Sequence, residues 1–146
     1  MLIRLAQETD LDSALKVIET SFSDDENKVI MNLSQELFSE TIIPSIKSLV
    51  AEVDNQVIGY VSYSPIFLKS RSGISGSIIA PLAVYPEHQK KGFGLDLIKS
   101  GIDILTNESV DFLLVYGGPP YYGRFGFKEE IGRSFVAPFL LQYSFG

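Results

Sequence analysis

The chain is predicted to fold as an α/β domain with one mixed sheet and helices on both of its faces. Apolar residues recur at helical spacing in three stretches, near 11–22, 24–38 and 93–105, and with a period of two or in short unbroken runs elsewhere. The order of these stretches is strand, helix, helix, three strands, helix, strand, with a short helix and a strand to follow. A hairpin meander therefore precedes a single crossover.

Leu2-Ile3-Arg4-Leu5 reads as a short opening strand. Thr9 with Asp12 three residues on suggests an N-cap and its acidic partner, followed by Leu11, Ala14, Leu15, Ile18 and Phe22 on one helical face. Ser23-Asp24-Asp25-Glu26 repeats the capping-box pattern, and Ile30, Leu33 and Leu37 carry a second helix to about Phe38, before Pro44. Leu49, Ala51 and Val53 alternate with Val50 and Glu52. Asp54-Asn55 then turns the chain into Val57, Gly59, Val61 and Tyr63. Pro65 and the Ser- and Gly-rich stretch from Lys69 to Gly76 predict a loop, after which Ile78 to Tyr85 forms an apolar strand. The next helix places Gly94, Leu97, Ile98, Gly101, Ile102 and Leu105 on a sheet-facing side, with Gly101 allowing close approach. Asp111 to Tyr116 reads as a buried strand that Gly117-Gly118-Pro119-Pro120 ends, and Phe135 to Tyr143 as a last strand.

With 146 residues and 45% hydrophobic content the chain suits one domain with its own core, residues 1–146. No cysteine is present, so disulfides, thiolate nucleophiles and cysteine-bound zinc drop out together. A single histidine, His88, argues against a transition-metal site, and none is expected. The net charge of −6 and scattered basic residues argue against a nucleic-acid partner. There is neither a signal-peptide pattern nor an apolar run of about 20 residues, so no membrane association and a cytoplasmic location are expected.

The chemistry concentrates where the apolar strand Ile78 to Tyr85 gives way to Pro86-Glu87-His88 and then Gln89-Lys90-Lys91-Gly92-Phe93-Gly94 at the start of a helix. Glycines admit close backbone approach, and a helix start offers unpaired N–H groups and a positive dipole end. Together these make an anion site sized for phosphates. Glycines at a helix start also serve packing alone, so the fragment by itself leaves a purely structural role open. A dinucleotide fingerprint fails because its third glycine would fall at Leu97, and a Walker loop fails for want of Gly-Lys-Ser/Thr.

Gln-x-x-Gly-x-Gly after such a strand resembles the acetyl-CoA motif of the GCN5-related N-acetyltransferase (GNAT) superfamily, whose order of elements this chain shares over nearly its whole length. The segment Tyr121-Tyr122-Gly123-Arg124-Phe125-Gly126-Phe127 is similar to the aromatic segment closing that family's acyl-CoA site. The longer phrase from Gly117 to Phe127 resembles the YhbS-type branch of small bacterial acetyltransferases, except that Gly118 stands where that branch has Asp.

The resemblance implies a mixed, mostly antiparallel sheet with a splayed central strand pair, and acetyl-CoA as cosubstrate. Amides around Lys90, Lys91, Gly92, Phe93 and Gly94, with Gln89 opening the motif, would hold the diphosphate. Backbone at Leu82, Ala83 and Val84 would pair with the pantetheine arm like an added strand, and an N–H of Ala83 or Val84 would polarise the acetyl carbonyl. Tyr122 would be the general acid toward the departing thiolate, a role that suits a phenol protonated at neutral pH. The lysine side chains fit a solvated surface equally well. The strand from Ser77 to Tyr85 carries no Asp, Glu or His to deprotonate an alkylammonium. Glu52 is one candidate base, though better read as an ordinary solvated strand-face glutamate, water-relayed proton loss is another, and His88 lies beside the phosphate loop, so no base is assigned.

The expected activity is acetyl transfer from acetyl-CoA to a primary amine, small molecule or peptide, by direct attack in a ternary complex. The chain would act as a monomer or homodimer. A non-catalytic acyl-CoA-binding module of the same fold is the alternative, and a structural protein whose glycines merely pack a helix is a third.

Overall fold

The structure, a computed structural model, describes residues 2–39, 46–67 and 75–115. The chain runs β1 (Leu2–Leu5), a 3₁₀ turn (Glu8–Asp10), α1 (Leu11–Ser21), α2 (Asp24–Ser39), β2 (Lys47–Val53), β3 (Gln56–Phe67), β4 (Ser75–Val84), a second 3₁₀ turn (Pro86–His88), α3 (Phe93–Asn107) and β5 (Phe112–Val115). The strands form one sheet in the order β1-β2-β3-β4-β5. The first three pairings are antiparallel and β4·β5 is parallel, which requires the crossover that α3 supplies.

Helices cover both faces. Tyr63 of β3 sends its hydroxyl to the Leu97 carbonyl of α3 at 2.9 Å, and a Cβ on Gly59 would come within 3.1 Å of the Leu97 side chain, so these odd-numbered residues face α3. On the other face Tyr60 packs against Phe38 of α2 with ring centroids 5.7 Å apart. Val17 and Ile18 of α1, Ile58 and Val61 of β3, and Leu97 and Ile98 of α3 are fully buried in one core. The Tyr60 hydroxyl bonds to Ser62, which in turn meets Ser48 at 2.8 Å, and burial pushes the Tyr60 phenol above its usual range. No buried side-chain polar atom lacks a partner among the described residues.

Asp54 and Asn55 both adopt left-handed backbone, with φ of 52° and 65°, as a two-residue hairpin turn matched to strand twist requires. Ser23 immediately precedes α2, and its hydroxyl meets the Glu26 carboxylate at 3.2 Å.

Three local expectations are corrected. The first helix is not capped by Thr9: the chain enters through the 3₁₀ turn, and the buried Asp10 carboxylate accepts the Gln7 N–H at 2.7 Å while Arg4 binds it in a fork at 2.8 and 3.0 Å. Arg4 of β1, six residues upstream, thus holds the carboxylate that closes the 3₁₀ turn, a contact outside the capping-box spacing. Pro65 lies inside β3, opposite Ser77, rather than in a loop. The β2 pairing stops at Tyr63, so β3 is locally an edge at Pro65 and its missing N–H interrupts no ladder with β2. Ile102 is exposed, because the sheet-facing stripe of α3 narrows to Leu97, Ile98, Gly101 and Leu105.

Candidate active site

Two features of β4 create an unusual strand end. Between the pairs Tyr63↔Ile79 and Val61↔Leu82, β4 has two residues, Ala80 and Pro81, opposite Ser62 alone, which is a β-bulge. The Ala80–Pro81 peptide is cis, and Pro81 brings no N–H. On the other side β4 pairs with β5 only from Gly76 to Ile79, so Ala80 to Val84 have no β5 partner among the described residues.

The register decides which groups this stretch presents. The Tyr85 N–H donates to the Ile58 carbonyl at 2.9 Å, making Tyr85–Ile58 a hydrogen-bonded pair. Antiparallel pairs alternate, so Ala83–Tyr60 is the next bonded pair, and the N–H and C=O of Leu82 and Val84 point away from β3. Of the two amides expected to polarise an acyl carbonyl, that of Val84 faces the open side while that of Ala83 is turned to β3. Leu82, not singled out for this role in the sequence, shares the orientation of Val84. Strand parity hides this point, because it depends on the register that the bulge sets.

Beyond Val84 the chain folds back tightly. His88 N–H bonds to the Tyr85 carbonyl at 2.8 Å and Gln89 N–H to the Pro86 carbonyl at 3.2 Å. Lys90 then takes φ 62° and Gly92 φ 90°, two left-handed steps that carry the chain into α3. The first backbone bond of α3 runs from the Asp96 N–H to the Gly92 carbonyl, 3.0 Å. The N–H groups of Phe93, Gly94 and Leu95 therefore have no partner among the described residues, and a Cβ built on Gly92 meets nothing within 4 Å. Among the described residues nothing covers the helix tip, which carries the positive end of the helix dipole.

Around it, Lys90 and Lys91 are exposed, and His88 stands edge-on to Phe93 with centroids 5.9 Å apart. The Gln89 side chain turns inward and donates to the Val84 carbonyl at 2.9 Å.

Glu52 is elsewhere. It lies opposite Leu2 on β2, with β3 between it and the open stretch of β4, and its carboxylate meets the Arg4 guanidinium at 2.9 Å. No cluster of three His, Cys, Asp or Glu occurs among the described residues. A cavity of about 300 Å³ opens between Phe38, Leu37, Gln7, Glu8, Lys47 and Ser48, at the β1–β2 edge. With strands about 4.8 Å apart, its β2 wall lies some 10 Å from β4. Tyr122 and Gly118 lie outside the described residues.

A family model for an acetyltransferase (GNAT) domain matches residues 2–129. The chain belongs to the GNAT family. It is 30% identical over 129 residues to the uncharacterized N-acetyltransferase YhbS of Escherichia coli K12, covering 88% of this chain and 74% of that protein. Among solved structures, Escherichia coli YhbS in complex with CoA superposes with a TM-score of 0.72 at 31% identity, over 89% of this chain and 69% of that one. A GNAT acetyltransferase from Brucella melitensis in complex with acetyl-CoA gives 0.70 at 28% identity, over 87% and 82%. The GNAT chain is thus an acyltransferase by family, and the expected mixed sheet is the fold it shares with these relatives. No helix among the described residues is long and apolar enough to cross a membrane.

Proposed function

We propose that this GNAT chain transfers acetyl from acetyl-CoA to a primary amine by direct attack within a ternary complex. The observation that carries the proposal is the adjacency of a strand stretch and a helix tip that are both unpaired among the described residues, joined by the eight residues from Tyr85 to Gly92. The strand offers amide and carbonyl groups to a pantetheine chain, and the tip offers N–H groups to a diphosphate. Both relatives with CoA or acetyl-CoA bound support the same cosubstrate here.

In this reading the Phe93, Gly94 and Leu95 amides take diphosphate oxygens, with Lys90 and Lys91 adding long-range attraction. The Leu82 or Val84 N–H polarises the acetyl carbonyl. The ammonium first loses a proton to water, since no described carboxylate or histidine stands at the open stretch. Its nitrogen lone pair then attacks the carbonyl carbon, the C–S bond breaks as Tyr122 donates its proton to the departing thiolate, and the second proton released by the attacking nitrogen returns through water to the Tyr122 phenolate, leaving a neutral amide and free CoA thiol. Holding both reactants side by side supplies much of the acceleration.

Calorimetry with CoA, followed by thiol release from acetyl-CoA across a panel of primary amines, tests the assignment. Binding with turnover on at least one amine is expected. Tight binding with no turnover on any amine makes the chain a non-catalytic acyl-CoA module, and failure to bind CoA removes the cosubstrate.

A further inference from the structure

We infer that Tyr63 is a positioning residue: its hydroxyl pins α3 along the sheet and so sets the distance between the amides at the helix tip and those of the open stretch of β4. Resting on the acetyl-CoA reading above, this gives a core side chain control over how well one ligand, with an anion at one end and a thioester at the other, spans the two.

Tyr63 touches both halves of the site. On β3 it stands opposite Ile79, the last regular pair that β4 makes before its bulge, so its backbone lies one residue from the point where β4 changes parity. Its side chain crosses to α3 and is buried. There the hydroxyl donates to the Leu97 carbonyl at 2.9 Å and lies 3.2 Å from the Ile98 carbonyl, a single proton shared between neighbouring acceptors. The ring fits against the helix because Gly101 has no Cβ, which would come within 2.0 Å of it.

Apolar packing and this hydrogen bond restrain the helix differently. Leu97, Ile98 and Leu105 are buried in the core and resist separation of α3 from the sheet, yet burial is non-directional and changes little when a helix slides or turns by a small amount. A hydroxyl held between consecutive carbonyls fixes one height and one angle on the helix. Each carbonyl keeps a lone pair beyond the one used within α3, so the tie costs the helix no bond. Leu97 is four residues from Phe93, about 6 Å along the axis, which puts the pin one turn from the Phe93, Gly94 and Leu95 amides. A second tie, Lys47 to Glu108 at 3.0 Å, holds the other end of α3. It lies too far from the tip to set the spacing there.

The test compares a ligand that spans both halves with ligands that use one: CoA by calorimetry, and pantetheine and inorganic diphosphate by ligand-detected NMR. Tyr63→Phe keeps the ring and removes the hydroxyl. It is expected to weaken CoA binding about fivefold, the scale of one lost hydrogen bond, while pantetheine and diphosphate affinities each change less than about twofold. Glu108→Gln, which loosens the far end of the same helix, is expected to leave CoA affinity unchanged, and circular dichroism and melting report the fold of both variants. Unchanged CoA affinity in folded Tyr63→Phe, an equal loss for the half ligands, a matching loss in Glu108→Gln, or a Tyr63→Phe chain that does not fold each overturns the inference while leaving the acetyl-CoA reading intact. A wild-type chain that binds no CoA removes both.

Discussion

Gly101 shows how little room one position leaves. A Cβ there would lie 2.0 Å from the Tyr63 ring, whose hydroxyl is bonded to the Leu97 and Ile98 carbonyls and therefore cannot swing aside cheaply. Gly101→Ala is expected to cost on the order of 2–4 kcal/mol in denaturant unfolding, with partial recovery when combined with Tyr63→Leu; a cost near zero contradicts this packing. Asp10 gives a pH-dependent counterpart. Arg4 holds its carboxyl below the usual carboxylate range, against the opposing pull of burial, with help from the Gln7 N–H. A depressed folded pKa stabilises above the unfolded value of about 4, and the gain disappears as pH falls through the folded value. Asp10→Asn is accordingly expected to lose about 1–2 kcal/mol at pH 7, and the gap to wild type to close as pH drops below about 4. At Tyr122 the family resemblance predicts that Tyr122→Phe lowers turnover far more than acetyl-CoA affinity; equal turnover would dismiss its acid role.

At the scale of elements, the bulge in β4 and the tip of α3 work as a pair. The bulge sets which strand groups face outward, and the left-handed Gly92 aims the helix amides. Space is open around Gly92, so a side chain there meets no protein atom, and its penalty is conformational. Gly92→Val is expected to cost about 1–2 kcal/mol of stability and to weaken CoA binding. Gly92→Asn, whose side chain tolerates left-handed backbone, is expected to recover most of the stability. Thermal melts with and without CoA separate the two effects.

For the whole molecule, cosubstrate binding and folding are linked. CoA at about 100 times its dissociation constant is expected to add about 2.7 kcal/mol to unfolding free energy, which for a chain of this size raises the melting temperature by roughly 5–10 °C. A melting point indifferent to CoA argues against a site formed only in the folded chain. The acidic net charge, −6, attracts a cationic amine at long range without selecting among amines.

Local patterns alone determined much of this protein: the helical spacing of α1 to α3, the Asp54-Asn55 hairpin, and a glycine-bearing helix start after an apolar strand are all short-range facts of steric and hydrogen-bonding preference. They sufficed for the fold class and for the strand end and helix start where the anion site is proposed. Tertiary structure decided which polar group each side chain finds as its partner. Arg4 binds both Asp10 and Glu52, which closes the 3₁₀ turn leading into α1 and engages the carboxylate considered as a base. The bulge set the parity that separates Val84 from Ala83, and Gln89 turned back to a carbonyl five residues earlier instead of outward. Such choices are settled by register and by which polar group finds a partner on burial, and neither is written in the spacing of a single segment.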